Sequence, residues 1–191
     1  MRLFVALEIP PAIRERLAAL IAKLRAVASQ VDDKRPRWVR PENLHVTLKF
    51  IGHVAPEKLE GIRLALATVR SQSAVDLNFR GLGFFPNEKR PRVLWAGLEA
   101  SANLPRLAEA VDRATATQEI ATETRPFAPH LTLARFEPPG IREELHSAIH
   151  QTWQGEFGAA RTAEFHLIES KLRPCGAEYT TLQSFRFAAE N

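Results

Sequence analysis

The feature that most restricts this chain is a pattern used twice. One copy runs Arg40-Pro41-Glu42-Asn43-Leu44-His45-Val46-Thr47-Leu48, and 85 positions further on a second runs Pro129-His130-Leu131-Thr132-Leu133. Each sets His and Thr two residues apart within alternating apolar residues. On a strand, residues i and i+2 share a face. His45, Thr47 and Lys49 therefore stand together opposite Leu44, Val46, Leu48 and Phe50, and His130 and Thr132 stand opposite Leu131 and Leu133. A Pro-bearing basic loop precedes each copy, and a helical pattern starts about a dozen residues past each His. Two equivalent strand–helix units imply two lobes related by a pseudo-twofold axis. Residues matched by such an axis meet across the cleft between the lobes.

The other segments fit around these units. The apolar run 3–7, closed by Ile9-Pro10-Pro11, predicts a buried strand and a helix start. Ile13, Leu17, Leu20, Ile21 and Leu24 recur at helical spacing and predict a helix over 11–28. A polar loop rich in Arg and Pro follows over 32–41. Further apolar stripes predict helices over 56–70 and 103–117, and a fourth marked by Ile141, Leu145, Ile149 and Trp153. Segments 75–85 and 92–98, joined by a short polar connection, predict a hairpin. Residues 162–187 predict two strands around the turn Pro174-Cys175-Gly176. The expected class is α+β, with two pseudo-twofold lobes and mainly antiparallel sheets around a central cleft, forming one domain over 1–191.

Composition enters where it excludes alternatives. With 45% apolar and 25% charged residues, the chain can bury a core and shows no sign of disorder. Its 26 Lys plus Arg against 22 Asp plus Glu give a net charge of +4, a mild bias toward polyanions such as RNA. A single cysteine, Cys175, rules out an internal disulfide and a four-cysteine zinc site, and is expected as an inert turn thiol in a reducing, cytoplasmic protein. The opening residues are too soon interrupted for a signal peptide, and no apolar run reaches the roughly 20 residues needed to span a bilayer. A soluble monomer is expected.

Two imidazoles with ordinary pKa values near 6.5 divide readily into one neutral and one protonated partner. The neutral one can take a proton from water and the protonated one can give a proton to a leaving oxygen. In-line displacement at phosphorus sets those two oxygens on opposite sides, which suits an acid and a base from facing lobes. The hydroxyls of Thr47 and Thr132 can donate hydrogen bonds to non-bridging phosphoryl oxygens without a metal.

The doubled motif resembles the paired signature of the 2H phosphoesterase superfamily. Its surroundings resemble the RNA 2′,3′-cyclic phosphodiesterases, also called 2′-5′ RNA ligase-like proteins. The similar stretches include Arg2-Leu3-Phe4-Val5-Ala6-Leu7, Val39 through Gly52, Arg90-Pro91-Arg92-Val93-Leu94-Trp95-Ala96-Gly97, Phe127-Ala128-Pro129-His130-Leu131-Thr132-Leu133-Ala134-Arg135, and Gly176-Ala177-Glu178-Tyr179. The resemblance implies a bilobal 2H phosphoesterase fold and hydrolysis of a terminal 2′,3′-cyclic phosphate of RNA to a 2′-phosphate. It implies His45 as proton donor and His130 as proton acceptor, with ATP-independent 2′-5′ ligation as the reverse reaction. It also implies a phosphate contact by Arg135, although strict alternation puts that residue opposite His130 unless a bulge intervenes. Two rivals remain open: a 2H esterase for small cyclic nucleotides or ADP-ribose cyclic phosphate, and a non-catalytic RNA-binding module.

Phe84, Phe85 and Phe127 are expected in the core rather than as base-stacking rings, and Tyr179 as a packed strand residue. His146 and His150 have a zinc-binding spacing on a helix. No acidic residue joins them in a recognisable signature, so an exposed helix face is expected. His53 and His166 carry no motif. No metal and no other cofactor is expected.

Overall fold

The apolar run near the N-terminus becomes an inner strand of the first of two sheets. In β1 (Arg2–Glu8) five consecutive residues are buried because both faces are covered. Leu3, Val5 and Leu7 enter the main core, while Phe4 and Ala6 join Ile168 and Tyr179 in a small cluster on the other side. The computed structural model describes residues 1–69, 74–174 and 176–187. Cys175, and with it the apex of the expected 174–176 turn, lies outside the described residues, as does Arg70, the expected end of the second helix.

The first sheet has the order β3-β1-β8-β9, where β3 is His45–His53, β8 is Glu164–Arg173 and β9 is Gly176–Arg186. The second has the order β2-β6-β5-β4-β7, with β2 at Pro36–Trp38, β6 at His130–Phe136, β5 at Val93–Ala100, β4 at Val75–Phe85 and β7 at Glu156–Thr162. Every strand pairing among the described residues is antiparallel. The run β3-β1-β8-β9 matches β6-β5-β4-β7 strand for strand, which is the pseudo-twofold relation expected from the repeated motif. The α+β, two-sheet architecture follows the expectation.

Two of the four helices cross over between the sheets. α1 (Pro11–Gln30) follows β1 but packs against β7 and α4 (Glu143–His150), beneath the second sheet. α3 (Asn103–Ala116) follows β5 but packs against β3 and α2 (Leu59–Ala67), beneath the first. The stripe of α1 that includes Ile13, Leu17, Leu20, Ile21 and Leu24 is buried as its spacing predicts. A continuous core joins residues from both sheets and all four helices.

Two strands were not foreseen. β2 has three residues of the Pro- and Arg-rich segment read as a loop; it pairs with the edge of β6, where proline is tolerated. β7 contains two residues of low strand preference, Ala159 and Ala160, and Gly158 at φ +119°, so it shows no period-two signal. Pairing with β4 alone makes it a strand.

Candidate active site

Both motif strands break their alternation at the same place. In β3, Thr47 pairs with Ala6 and Lys49 with Val5, so Leu48 is an extra residue. In β6, Thr132 pairs with Trp95 and Ala134 with Leu94, so Leu133 is extra. These are β-bulges, each directly after the His-x-Thr triplet. Consecutive residues on each strand, Leu48 with Lys49 and Leu133 with Ala134, are then buried. Beyond the bulge the faces exchange. Arg135 rejoins the face of His130 and Thr132, and Phe50, 56% exposed, rejoins that of His45 and Thr47. The expected facing of Lys49 and Phe50 is therefore reversed. Lys49 points inward, where its Nζ donates to Asp112 Oδ1 at 2.5 Å and to the Ala121 carbonyl at 2.6 Å.

The cleft between the sheets has a volume of about 760 Å³. His45, Thr47, His130, Thr132 and Arg135 all line it, so the five residues singled out in the sequence are brought together. Among the described residues, no protein group engages either threonine hydroxyl. The cleft is also lined by Arg2, Arg37 and Arg40, with Glu137 paired to Arg37 at 3.1 Å. The balance is cationic and suits an anion.

The two imidazoles are held alike. His45 Nδ1 lies 2.6 Å from the Asn43 carbonyl, and His130 Nδ1 lies 2.8 Å from the Ala128 carbonyl. A carbonyl only accepts, so each Nδ1 carries the hydrogen and each Nε2 is left to exchange protons. Asn43 is itself anchored, its Nδ2 donating to the Ala177 carbonyl at 2.8 Å. Rings complete the settings. His45 lies 4.7 Å from Phe4 and 5.4 Å from Tyr179, the latter edge-on, while Phe85 meets His130 edge-on at 5.0 Å.

Burial pushes the His45 pKa down to about 4, and the charges of His130 and Arg135 add to the effect. Burial also lowers His130, again reinforced by Arg135. The Tyr179 hydroxyl is raised by burial and stays protonated. Both imidazoles are thus neutral at pH 7 in the free protein. A bound phosphodiester anion works against these shifts, because negative charge in a dry cleft favours the imidazolium.

Tyr179 packs on its strand against Phe4, as expected, and also reaches the cleft. Phe84 is core, as expected, and Phe127 packs against the core. Phe85 is half-buried against His130 rather than within the core. Sequence reasoning missed Phe4, Phe50, Arg2 and Asn43; the bulge that turns Phe50 and the pairing that brings Asn43 to β9 are tertiary features. His166 is buried and satisfied by Ser184 Oγ at 2.9 Å. His146 and His150 are joined by Glu88 from the β4–β5 connection, which corrects the expectation that no acidic residue accompanies them.

Residues 7–95 match the family model described as LigT like Phosphoesterase. The chain is 33% identical over 187 residues to a Methanothermobacter thermautotrophicus protein named RNA 2′,3′-cyclic phosphodiesterase, covering 97% of this chain and 98% of that one. An Archaeoglobus fulgidus protein of the same name is 34% identical, with coverage of 97% and 99%. Among solved structures, one from Thermus thermophilus superposes with a TM-score of 0.80 at 32% identity over the whole of both chains. E. coli LigT complexed with 3′-AMP superposes with a TM-score of 0.75 at 27% identity over 98% of each.

Proposed function

This chain belongs to the LigT-like phosphoesterases of the 2H superfamily, and on that premise we propose that it hydrolyses the terminal 2′,3′-cyclic phosphate of RNA to a 2′-phosphomonoester. The substrate class comes from the relatives that carry the name RNA 2′,3′-cyclic phosphodiesterase. One observation in this chain carries the mechanism. Two bulged strands from different sheets deliver both imidazoles, both hydroxyls and Arg135 to one cleft, with each Nδ1 tied to a carbonyl.

In the proposed reaction His130 Nε2 takes a proton from water as the water oxygen bonds to phosphorus. The P–O3′ bond breaks in line, and protonated His45 gives its Nε2 proton to O3′. The low pKa of His45 makes its imidazolium a strong acid once the substrate anion has helped to charge it. Thr47, Thr132 and Arg135 hold the non-bridging oxygens, where charge concentrates. The chemistry needs no metal, and with a 5′-hydroxyl in place of water the same step, P–O5′ forming as P–O3′ breaks, joins the two ends by a 2′-5′ linkage without ATP. We place the activity in the cytoplasm, a reading supported by the single cysteine. The monomer is the working unit in this reading, since one chain supplies the whole cleft.

The test is an oligoribonucleotide ending in a 2′,3′-cyclic phosphate. His45→Ala and His130→Ala should each lose roughly 10²–10⁴-fold in rate, and the parent product should carry its phosphate on O2′. Near-parent rates in either variant, or a phosphate on O3′, would sink the assignment.

A further inference from the structure

A second cluster of chemically capable side chains lies outside the cleft. His146 and His150 occupy successive turns of α4, and Glu88 reaches them from the connection between β4 and β5. Among the described residues this is the one group of three or more His, Cys, Asp or Glu whose ligand atoms all lie within 4.8 Å of one another. We propose that these three residues form a binding site for a first-row transition dication, zinc above all, which clamps the β4–β5 connection to α4.

The geometry supports this directly. His146 Nε2 and His150 Nε2 lie 3.2 Å apart, and Glu88 Oε2 lies 3.6 Å from the first and 3.4 Å from the second. An ion bonded tetrahedrally at about 2.0–2.1 Å separates its ligand atoms by roughly 3.3–3.4 Å. The three atoms thus already stand near three corners of a zinc tetrahedron, with the fourth left to water. Two imidazoles and one carboxylate form a borderline donor set, suited to zinc and its neighbours in the row and poorly suited to magnesium or calcium.

The rings are also braced. Phe84 lies parallel to His146, with ring centres 6.1 Å apart, and Trp153 lies parallel to His150 at 4.7 Å. Phe84 is buried, so its ring is a fixed wall that reduces the freedom lost on binding. A hydrogen bond between the two imidazoles accounts for the 3.2 Å contact by itself, and a cation shared by the three residues accounts both for that contact and for a carboxylate oxygen almost equally close to both nitrogens.

The site is separate from the catalytic cleft, so its fate does not depend on the proposed reaction. The probe is zinc itself, titrated into chelator-treated full-length protein in competition with a chromophoric chelator. One equivalent should bind, and a hundredfold excess over the dissociation constant should raise Tm by roughly 5 °C. Cobalt in place of zinc should give the visible absorption of a four-coordinate ion. Glu88→Gln keeps the shape of an exposed side chain and should weaken zinc binding at least about tenfold, and His146→Ala should abolish it. Opening of the cyclic phosphate should continue in both variants. Binding that is unchanged in Glu88→Gln and in His146→Ala, or no zinc bound by the parent protein, would overturn the proposal. Loss of catalysis in His45→Ala with zinc binding retained would separate the two readings.

Discussion

In the proposed reaction Arg135 bears on both binding and proton chemistry. Its guanidinium lines the cleft and lowers the pKa of His45 and of His130. Arg135→Gln should therefore do two things: raise KM through the lost phosphate contact, by about tenfold or more for a charge-assisted pair, and move both limbs of the pH profile upward. For the parent, both imidazoles of the free protein titrate below their ordinary 6.5, while the proposed acid–base pair works with one proton shared between its members. The bell in kcat/KM should therefore peak below pH 6.5 and fall as pH rises through neutrality. A maximum above pH 7.5 would contradict this. Stability follows the same shift. The folded pKa of His45, about 4, lies below its unfolded value, so the unfolded chain binds the proton more tightly. Stability is then whole above pH 6.5 and drains away as pH falls toward 4, by on the order of 1–3 kcal/mol. His45→Gln should flatten that part of the Tm–pH curve.

Elements were legible in the sequence where a regular apolar period marks the face that meets the core, which β7 lacks. The stripes of α1 and α3, the hairpin of β4 and β5, and the alternation of β3 and β6 up to their threonines all announce themselves by period. The two bulges do not, because an extra residue in a strand leaves no mark in composition. That is why Arg135 looked misplaced and Lys49 looked exposed. The buried Lys49 gives an element-scale prediction. Asp112 on α3 accepts from Lys49 at 2.5 Å and from the Glu123 backbone N–H at 3.1 Å, pinning β3 to the helix and the helix to the following loop. Asp112→Ala strands a buried ammonium and should cost about 3 kcal/mol, read as a lowered urea midpoint. A double change to Lys49→Met with Asp112→Leu should recover most of the loss, since two apolar groups leave no charge behind. Glu88 shows the same limit from another side. It lies 58 residues before His146 in the sequence, and only the hairpin and α4 bring them together.

At the scale of the whole molecule, the helices that trade sheets tie the two lobes into a single body of core. Each sheet is covered in part by a helix, α1 or α3, that follows a strand of the other sheet. Heating should therefore give one transition with equal calorimetric and van't Hoff enthalpies, and two separated transitions would show that the lobes melt independently. The cationic cleft makes a second prediction at this scale. An oligonucleotide that reaches Arg2, Arg37 or Arg40 as well as Arg135 should lose affinity with salt more steeply than a mononucleotide cyclic phosphate, by about 0.7 in the log–log slope for each added phosphate contact. Equal slopes would favour a small-molecule substrate. The order of the strands also has a consequence in time. The first sheet is completed by β8 and β9, which carry Leu167 opposite Val5 and Tyr179 beside His45. A ribosome thus releases both histidines long before it releases the hairpin that walls in the first of them. A growing chain halted short of residue 164 would hold both imidazoles of the proposed reaction and still have no enclosed place for them.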